Sequence, residues 1–367
     1  MFNIHIIQAL NGDSMLIEFN DNQDKKFILI DGGPRTVFEN FLNQELKRII
    51  GTNGTLEAIM VSHVDDDHIR GIIDLFSLLK EENDNEDNLS FNINHLWHNT
   101  FSETIDLDGS ISNRLNTINT IFGQHGLSSV NSVFTFNSIN QGNRLTALAN
   151  ALDIKINEHS DNGFFSLENN EDAILFDKLS FTIIGPSKEN LKALNDEWKA
   201  WLEKQEEYIN RNQVNLASYS DKSVPNLSSL VFIVEGSGKR VLFTGDARGD
   251  YVYEGLKKRK LLKYGKVHFD ILKVPHHGSD RNVTREFFEN VTADQYIISA
   301  DGKHGNPDYA TLAWIVESAH MQQRNIEIFL TNRTDTINKF MRNYKMSEWG
   351  YKMIFIKQGK NSLKISL

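Results

Sequence analysis

"VSHVDDDHIRG", Val61 to Gly71, follows the apolar run "LEAIM" and places two histidines and three aspartates in six consecutive positions. Adjacent carboxylates repel and raise one another's pKa, so a folded site that holds them calls for a cation. In a loop leaving a strand, alternate residues tend to face the same way. His63 and Asp65 can therefore converge on one ion, while Asp67 and His68, beyond the turn, can reach a second. Asp66 is then the carboxylate directed elsewhere.

Three further stretches share this character, a hydrophobic strand that ends at once in Asp, His or Gly. They are "ILIDGG" with Asp31, "VLFTGDARGD" with Asp246 and "ILKVPHHGS" with His276 and His277. Asp and Gly punctuate turns everywhere. Four strand ends carrying metal-competent groups in one chain nevertheless point to a shared site, built where α/β scaffolds build theirs. Adjacent residues on an extended segment point opposite ways, so His276 and His277 are not expected on the same ion. His304 in "ADGKHGNPD" follows the strand "QYIISA" and belongs near the same place.

The 367 residues are 40% hydrophobic and 24% charged, an ordinary globular composition with ample material for a core. Cysteine is absent. That removes disulfides, thiolate nucleophiles and Cys-ligated zinc, and leaves His, Asp, Glu or Asn to hold any metal. The net charge of -10 opposes non-specific binding to nucleic acid. "LKKRKLLKYGK", Leu256 to Lys266, is the exception, either a solvated helix face or a source of phosphate donors. The N-terminus lacks a basic region followed by a long apolar core, and no stretch approaches a membrane span, so a cytoplasmic protein without membrane contact is expected.

Short strands alternate with helices, which argues α/β layering. "FNIHIIQ", "SMLIEF", "KKFILID" and "LEAIMVSH" open the chain, and "TVFENFLNQELKRI" between them has helical spacing. From Lys80 to Asp172 the pattern weakens and polar residues accumulate. "SKENLKALNDEWKAWLEKQEEYINR" then predicts a helix capped by Ser187. The expected organisation is one domain, 1–367, with an insertion lobe over about 80–222. "EGSGKR" joins the next two strands as a hairpin.

The set Asp31, His63-x-Asp65-x-Asp67-His68, Asp246 in "FTGD" and His277 in "HHGS" resembles the metallo-β-lactamase superfamily. "LKVPHHGS" and "NLSSLVFIVEGSGKRVLFTGDA" are similar to the soluble hydrolase domain of ComEC-type DNA-uptake proteins. The usual superfamily motif is H-x-H-x-D-H, and here Asp65 stands at the second His. The resemblance implies an αββα sandwich holding two divalent ions, Zn²⁺ or Mn²⁺. Asp246 would bridge them, with Asp67, His68 and His277 completing one site and His63 and Asp65 the other. Asn226 occupies the place of the third His, so that site would be richer in oxygen, which favours Mn²⁺ or Mg²⁺. His95 and His98 are the alternative source of a ligand. Asp31 would orient a ligand from behind, or simply cap the turn before Gly32 and Gly33. His277 is assigned to metal and His276 to substrate, and His304 to a phosphate or leaving group, or only to its loop.

The implied activity is hydrolysis of nucleic-acid phosphodiesters by a hydroxide activated between two ions, with Asp67, Asp246, His276 and His304 catalytic. The alternatives are a phosphodiesterase for a cyclic or linear nucleotide second messenger, and a metal-binding module without turnover. A protein partner in bacterial defence or DNA processing would fit a stand-alone hydrolase of this kind. β-Lactam hydrolysis fits poorly with Asn226 and the lack of cysteine.

Overall fold

Phe2, Ile4 and Ile6 recur with the period of two that turns one face of a strand to a core. In the computed structural model, which describes residues 2–21, 24–100, 104–124, 133–210 and 228–367, these residues lie on β1 (Phe2–Ile7). β1 belongs to a seven-stranded sheet ordered β15 (Ser362–Ser366), β1, β2 (Met15–Asp21), β3 (Asp24–Ile30), β4 (Gly54–Met60), β5 (Phe91–Trp97) and β6 (Lys155–Ile156). An eight-stranded sheet runs β14 (Tyr351–Phe355), β13 (Ile326–Leu330), β12 (Val291–Ile298), β11 (Val267–Lys273), β10 (Lys239–Phe243), β9 (Val231–Gly236), β8 (Leu179–Gly185) and β7 (Ile174–Phe176). The expected hairpin is present, with β9 and β10 paired antiparallel.

The two sheets face each other. Ile4, Ile17 and Ile28 of the first pack with Phe181, Phe232, Val241 and Ile271 of the second in one buried cluster. Each outer face is covered by helices. α1 (Asn43–Ile49), α2 (Asp66–Asp84) and α4 (Val133–Ala151) pack on the first sheet through Leu46, Ile72, Phe76 and Leu145. The second sheet carries α6 (Gly249–Lys258), α7 (Arg285–Asn290), α8 (Tyr309–Met321), α9 (Asp335–Asn343) and α10 (Met346–Trp349). The result is an α/β sandwich of four layers.

The stretch 80–222 is divided in its loyalties. It supplies β5 and β6 to the first sheet and β7 and β8 to the second. Its helices α3 (Ser110–Gln124) and α5 (Lys188–Asn210) build a separate small core from Ile111, Leu115, Leu191, Leu194, Trp198 and Leu202. Arg114 closes that core with a bidentate pair to Glu206, both bonds 2.8 Å. Ser187 caps α5 as expected, its Oγ accepting from the Asn190 N–H at 3.1 Å.

In the basic run 256–266, Arg259 is engaged within the fold and two lysines pair with surface glutamates. Arg259 donates to the carbonyls of Ile183, Leu167 and Glu171 at 2.7–2.8 Å, and to that of Asn170. Lys257 pairs with Glu254 at 3.3 Å and Lys258 with Glu189 at 3.8 Å. Among the described residues, no helix is long and apolar enough to cross a membrane.

Candidate metal centre

Parallel pairing of β3 with β4, and of β11 with both β10 and β12, aims the C-terminal ends of these strands at one rim between the sheets. Asp31, His63, Asp246 and His277 leave those ends. The turn joining β1 to β2 adds Asp13, whose N–H donates to the Asp67 carbonyl at 3.2 Å. Gly12 allows this approach, since a Cβ there would stand 1.9 Å from the Asp67 carbonyl oxygen.

The crowd of aspartates is partly explained by local structure. Asp65 is extended (φ -78°, ψ 149°), and Asp66 and Asp67 form the first turn of α2, where the helix dipole favours negative charge. Asp66 faces away from the centre, as expected, and its Oδ1 accepts from Gln141 Nε2 of α4 at 2.7 Å.

The remaining donors converge. His68 Nε2 is 3.3 Å from Asp246 Oδ1, and His277 Nε2 is 3.5 Å from both Asp246 Oδ2 and Asp67 Oδ2. His63 Nε2 is 3.5 Å from Asp65 Oδ2 and 3.9 Å from Asp246 Oδ2. Among the described residues these three ring nitrogens and Asp246 Oδ1 are buried without a hydrogen-bond partner. Donors held about 2.0–2.2 Å from a tetrahedral ion lie roughly 3.3–3.6 Å from one another. The spacing therefore fits ligands sharing ions better than it fits hydrogen bonds. Two overlapping groups could each hold an ion, Asp13, His68, Asp246 and His277, and His63, Asp67 and His68, with donor atoms mutually within 4.8 Å. A mixed nitrogen and oxygen set without thiolate suits a borderline or hard divalent cation.

The far side of each imidazole is held. Asp31 Oδ2 is 2.9 Å from His68 Nδ1, while Ser62 donates to the same carboxylate through its N–H and its hydroxyl, both at 2.7 Å. His277 Nδ1 donates to the Ser299 carbonyl at 3.0 Å, and His63 Nδ1 lies 3.2 Å from Ser62 Oγ. These partners leave each Nε2 as the free donor.

Electrostatics follow from crowding. Burial disfavours charge on His68 and His277, yet Asp246, with Asp31 beside His68 and Asp13 beside His277, raises both well above the ordinary imidazole value. Against the same desolvation, these imidazoles hold Asp246 and Asp67 well below the usual carboxylate range. Asp13 is brought to about 2 despite burial, by Lys273 first and then His277. Without an ion, protonated histidines supply the counter-charge that an ion would displace.

One expectation needs correction. His276 and His277 do not point opposite ways, because the "PHHG" turn is not extended. Both residues are left-handed (φ 46° and 53°), and Gly278 follows at 83°. Consequently both rings reach Asp246 Oδ2, at 3.7 Å for His276 and 3.5 Å for His277. His277 is buried, whereas the His276 side chain is 26% exposed and stands at the mouth.

Other candidates are placed elsewhere. His304 is exposed in a left-handed turn (φ 60°) and is not among the converging donors. His95 faces Glu158 at 3.4 Å within a ring cluster of His159, Trp97 and Phe176. His98 is buried against Thr146, 3.2 Å away, and burial lowers its pKa to about 4. Neither joins the centre. Asn226 lies outside the described residues.

Two residues escaped the sequence reading. Asp13 looked like the last residue of a turn, and Lys273 like part of an apolar strand. The available signal was Lys273 itself, in phase with the inward-facing Ile271. A cavity of about 360 Å³ is walled by Pro186, Ser187, Asn190, Ser229, Ala247 and Tyr251, and none of the converging donors lines it.

No family model matches the chain, and no curated protein does. Among solved structures, it is similar to a protein from Thermotoga maritima assigned to the metallo-β-lactamase superfamily as a Zn-dependent hydrolase. That similarity has 8% identity and a TM-score of 0.30, and covers 96% of this chain and 100% of the other. It is also similar to a protein of unknown function from Enterococcus faecalis V583, with 11% identity, a TM-score of 0.31, and coverage of 98% and 79% respectively.

Proposed function

We propose that this chain is a metal-dependent hydrolase of the metallo-β-lactamase type, most like the ComEC-type domain, that cleaves phosphodiesters in nucleic acid. The observation that carries the reading is the convergence on Asp246 of three buried, unpartnered imidazole nitrogens. His63, Asp65, Asp67, His68, Asp246 and His277 would hold two divalent ions, Zn²⁺ or Mn²⁺. When bound, such ions supply Lewis-acid charge and acidify water.

The chain's own residues do the rest. Asp31, Ser62 and Ser299 fix the ring orientations, so the three Nε2 atoms meet the ions without reorganisation. Asp246 faces His68 with Oδ1 and His63 and His277 with Oδ2, which suits it to bridge. Burial lowers the pKa of His276, which favours its neutral form. From the mouth it can donate an N–H to a substrate oxygen.

The test is a cleavage assay with Mn²⁺ or Zn²⁺ over single-stranded DNA, duplex DNA, RNA and cyclic nucleotides, beside elemental analysis. Stoichiometric metal and activity lost in Asp67→Ala support the reading. Metal-free protein that remains active overturns it. Turnover of cyclic nucleotides alone would favour a small substrate.

A further inference from the structure

Lys273 ends β11 between the two sheets and is fully buried. Its ammonium forms an ion pair with Asp13 Oδ2 and donates to the Gly245 carbonyl at 2.9 Å. It also stands 3.8 Å from Asp246 Oδ1. Its own carbonyl accepts from Thr244 Oγ1 at 2.8 Å, so the strand end and the Thr244–Asp246 turn form one clamped unit. Asp13 is fully buried as well, and its Oδ1 is 3.5 Å from His277 Nδ1.

Asp13 has the chemistry of a ligand, and its nearest ring atoms are the Nδ1 atoms of His68 at 3.9 Å and His277 at 3.5 Å. Its carboxylate lies within 4.8 Å of donor atoms of His68, Asp246 and His277. A built-in ammonium nevertheless already neutralises it. A buried carboxylate takes the nearest cation, and here that cation is covalently part of the fold. Hydrolytic metal sites differ from structural ones in keeping a coordination position open. Asp13, if free, would close one.

We propose that Lys273 is a positioning residue that withholds Asp13 from the ions and so keeps a coordination position open for substrate. The proposal rests on the metal-centre reading above. It assigns a purpose to an ammonium buried beside groups that are otherwise built to attract cations.

The test uses the full chain loaded with Co²⁺, whose visible absorption weakens as coordination rises above four. In Lys273→Met the absorption should weaken, Co²⁺ affinity should rise at least about tenfold, and phosphodiester turnover should fall at least about tenfold. Tighter binding with slower turnover is the reverse of what structural damage produces. Asp13→Asn added to Lys273→Met should return absorption and affinity to those of the wild type. Because it leaves no unpaired buried charge, this double variant also reports if the single one fails to fold. A Lys273→Met spectrum and affinity equal to the wild type overturn the proposal. So does a change that Asp13→Asn does not reverse. Wild-type protein that binds no Co²⁺ overturns instead the metal-centre reading beneath it.

Discussion

Glu18 on β2 and Asp246 after β10 are both carboxylates only 2–3% exposed, but their surroundings are opposite. Glu18 is saturated. Lys25 reaches one oxygen at 2.9 Å, while Asn3, His5 and Lys364 reach the other at 2.9–3.1 Å. All four come from neighbouring positions on β15, β1 and the β2–β3 hairpin, so the network closes within one sheet. Asp246 is ringed by imidazoles at 3.3–3.9 Å, longer than ordinary hydrogen bonds. It draws those groups from both sheets. A closed network of short contacts stabilises a fold, whereas buried donors left apart at the spacing of ligands are arranged for a guest.

The sharpest way to break this comparison is Asp246→Asn. It should lower ion content and activity by more than about 100-fold, beyond the cost of losing an outer partner of a metal site. Glu18→Gln should leave ion stoichiometry, measured by elemental analysis, unchanged. If both variants bind metal normally, the distinction between the two carboxylates fails.

Gly12→Ala comes next, because its Cβ would be driven against the Asp67 carbonyl at 1.9 Å. A loss of about 3 kcal/mol is expected in denaturant unfolding, with weaker metal binding in titration calorimetry. Glu18→Gln should cost about 1–2 kcal/mol at neutral pH, a figure that allows for the exposure of its lysines.

That contribution has a defined pH window. Burial opposes ionisation of Glu18, but Lys25, His5 and Lys364 bring its carboxyl down to about 2, from 4.5. A depressed folded pKa gives stability that is present above pH 4.5 and lost as pH falls toward 2. Wild-type protein should therefore lose stability more steeply than Glu18→Gln across that window in acid unfolding curves.

The smallest effect is expected at Asp66, whose partner is Gln141 rather than the centre. Asp66→Asn should stay within about 0.5 kcal/mol of wild type and keep its metal content. The adjacent Asp67→Ala should not keep it. A loss of metal in Asp66→Asn would show that all three aspartates act as one patch.

Much of this arrangement was legible along the chain. Strand periodicity and turn residues marked the hairpin, the Ser187 cap and the strand ends. The spacing from His63 to His68 separated Asp66 from its neighbours, because a loop running into a helix gives successive residues different directions. What misled was the assumption of an extended backbone at His276 and His277. Nothing in two adjacent histidines announces left-handed dihedrals, and only the packed turn shows both rings on Asp246.

The sequence by itself determined which strand ends present Asp and His, because strand ends are marked by local periodicity and turn residues. Only the tertiary structure decided that Asp13 and Lys273 belong with them. Asp13 lies in the turn between β1 and β2 of one sheet and Lys273 at the end of β11 in the other, 260 positions apart in the chain. The pairing of a buried carboxylate with an ammonium is a property of how two sheets close on each other, and no local pattern encodes it.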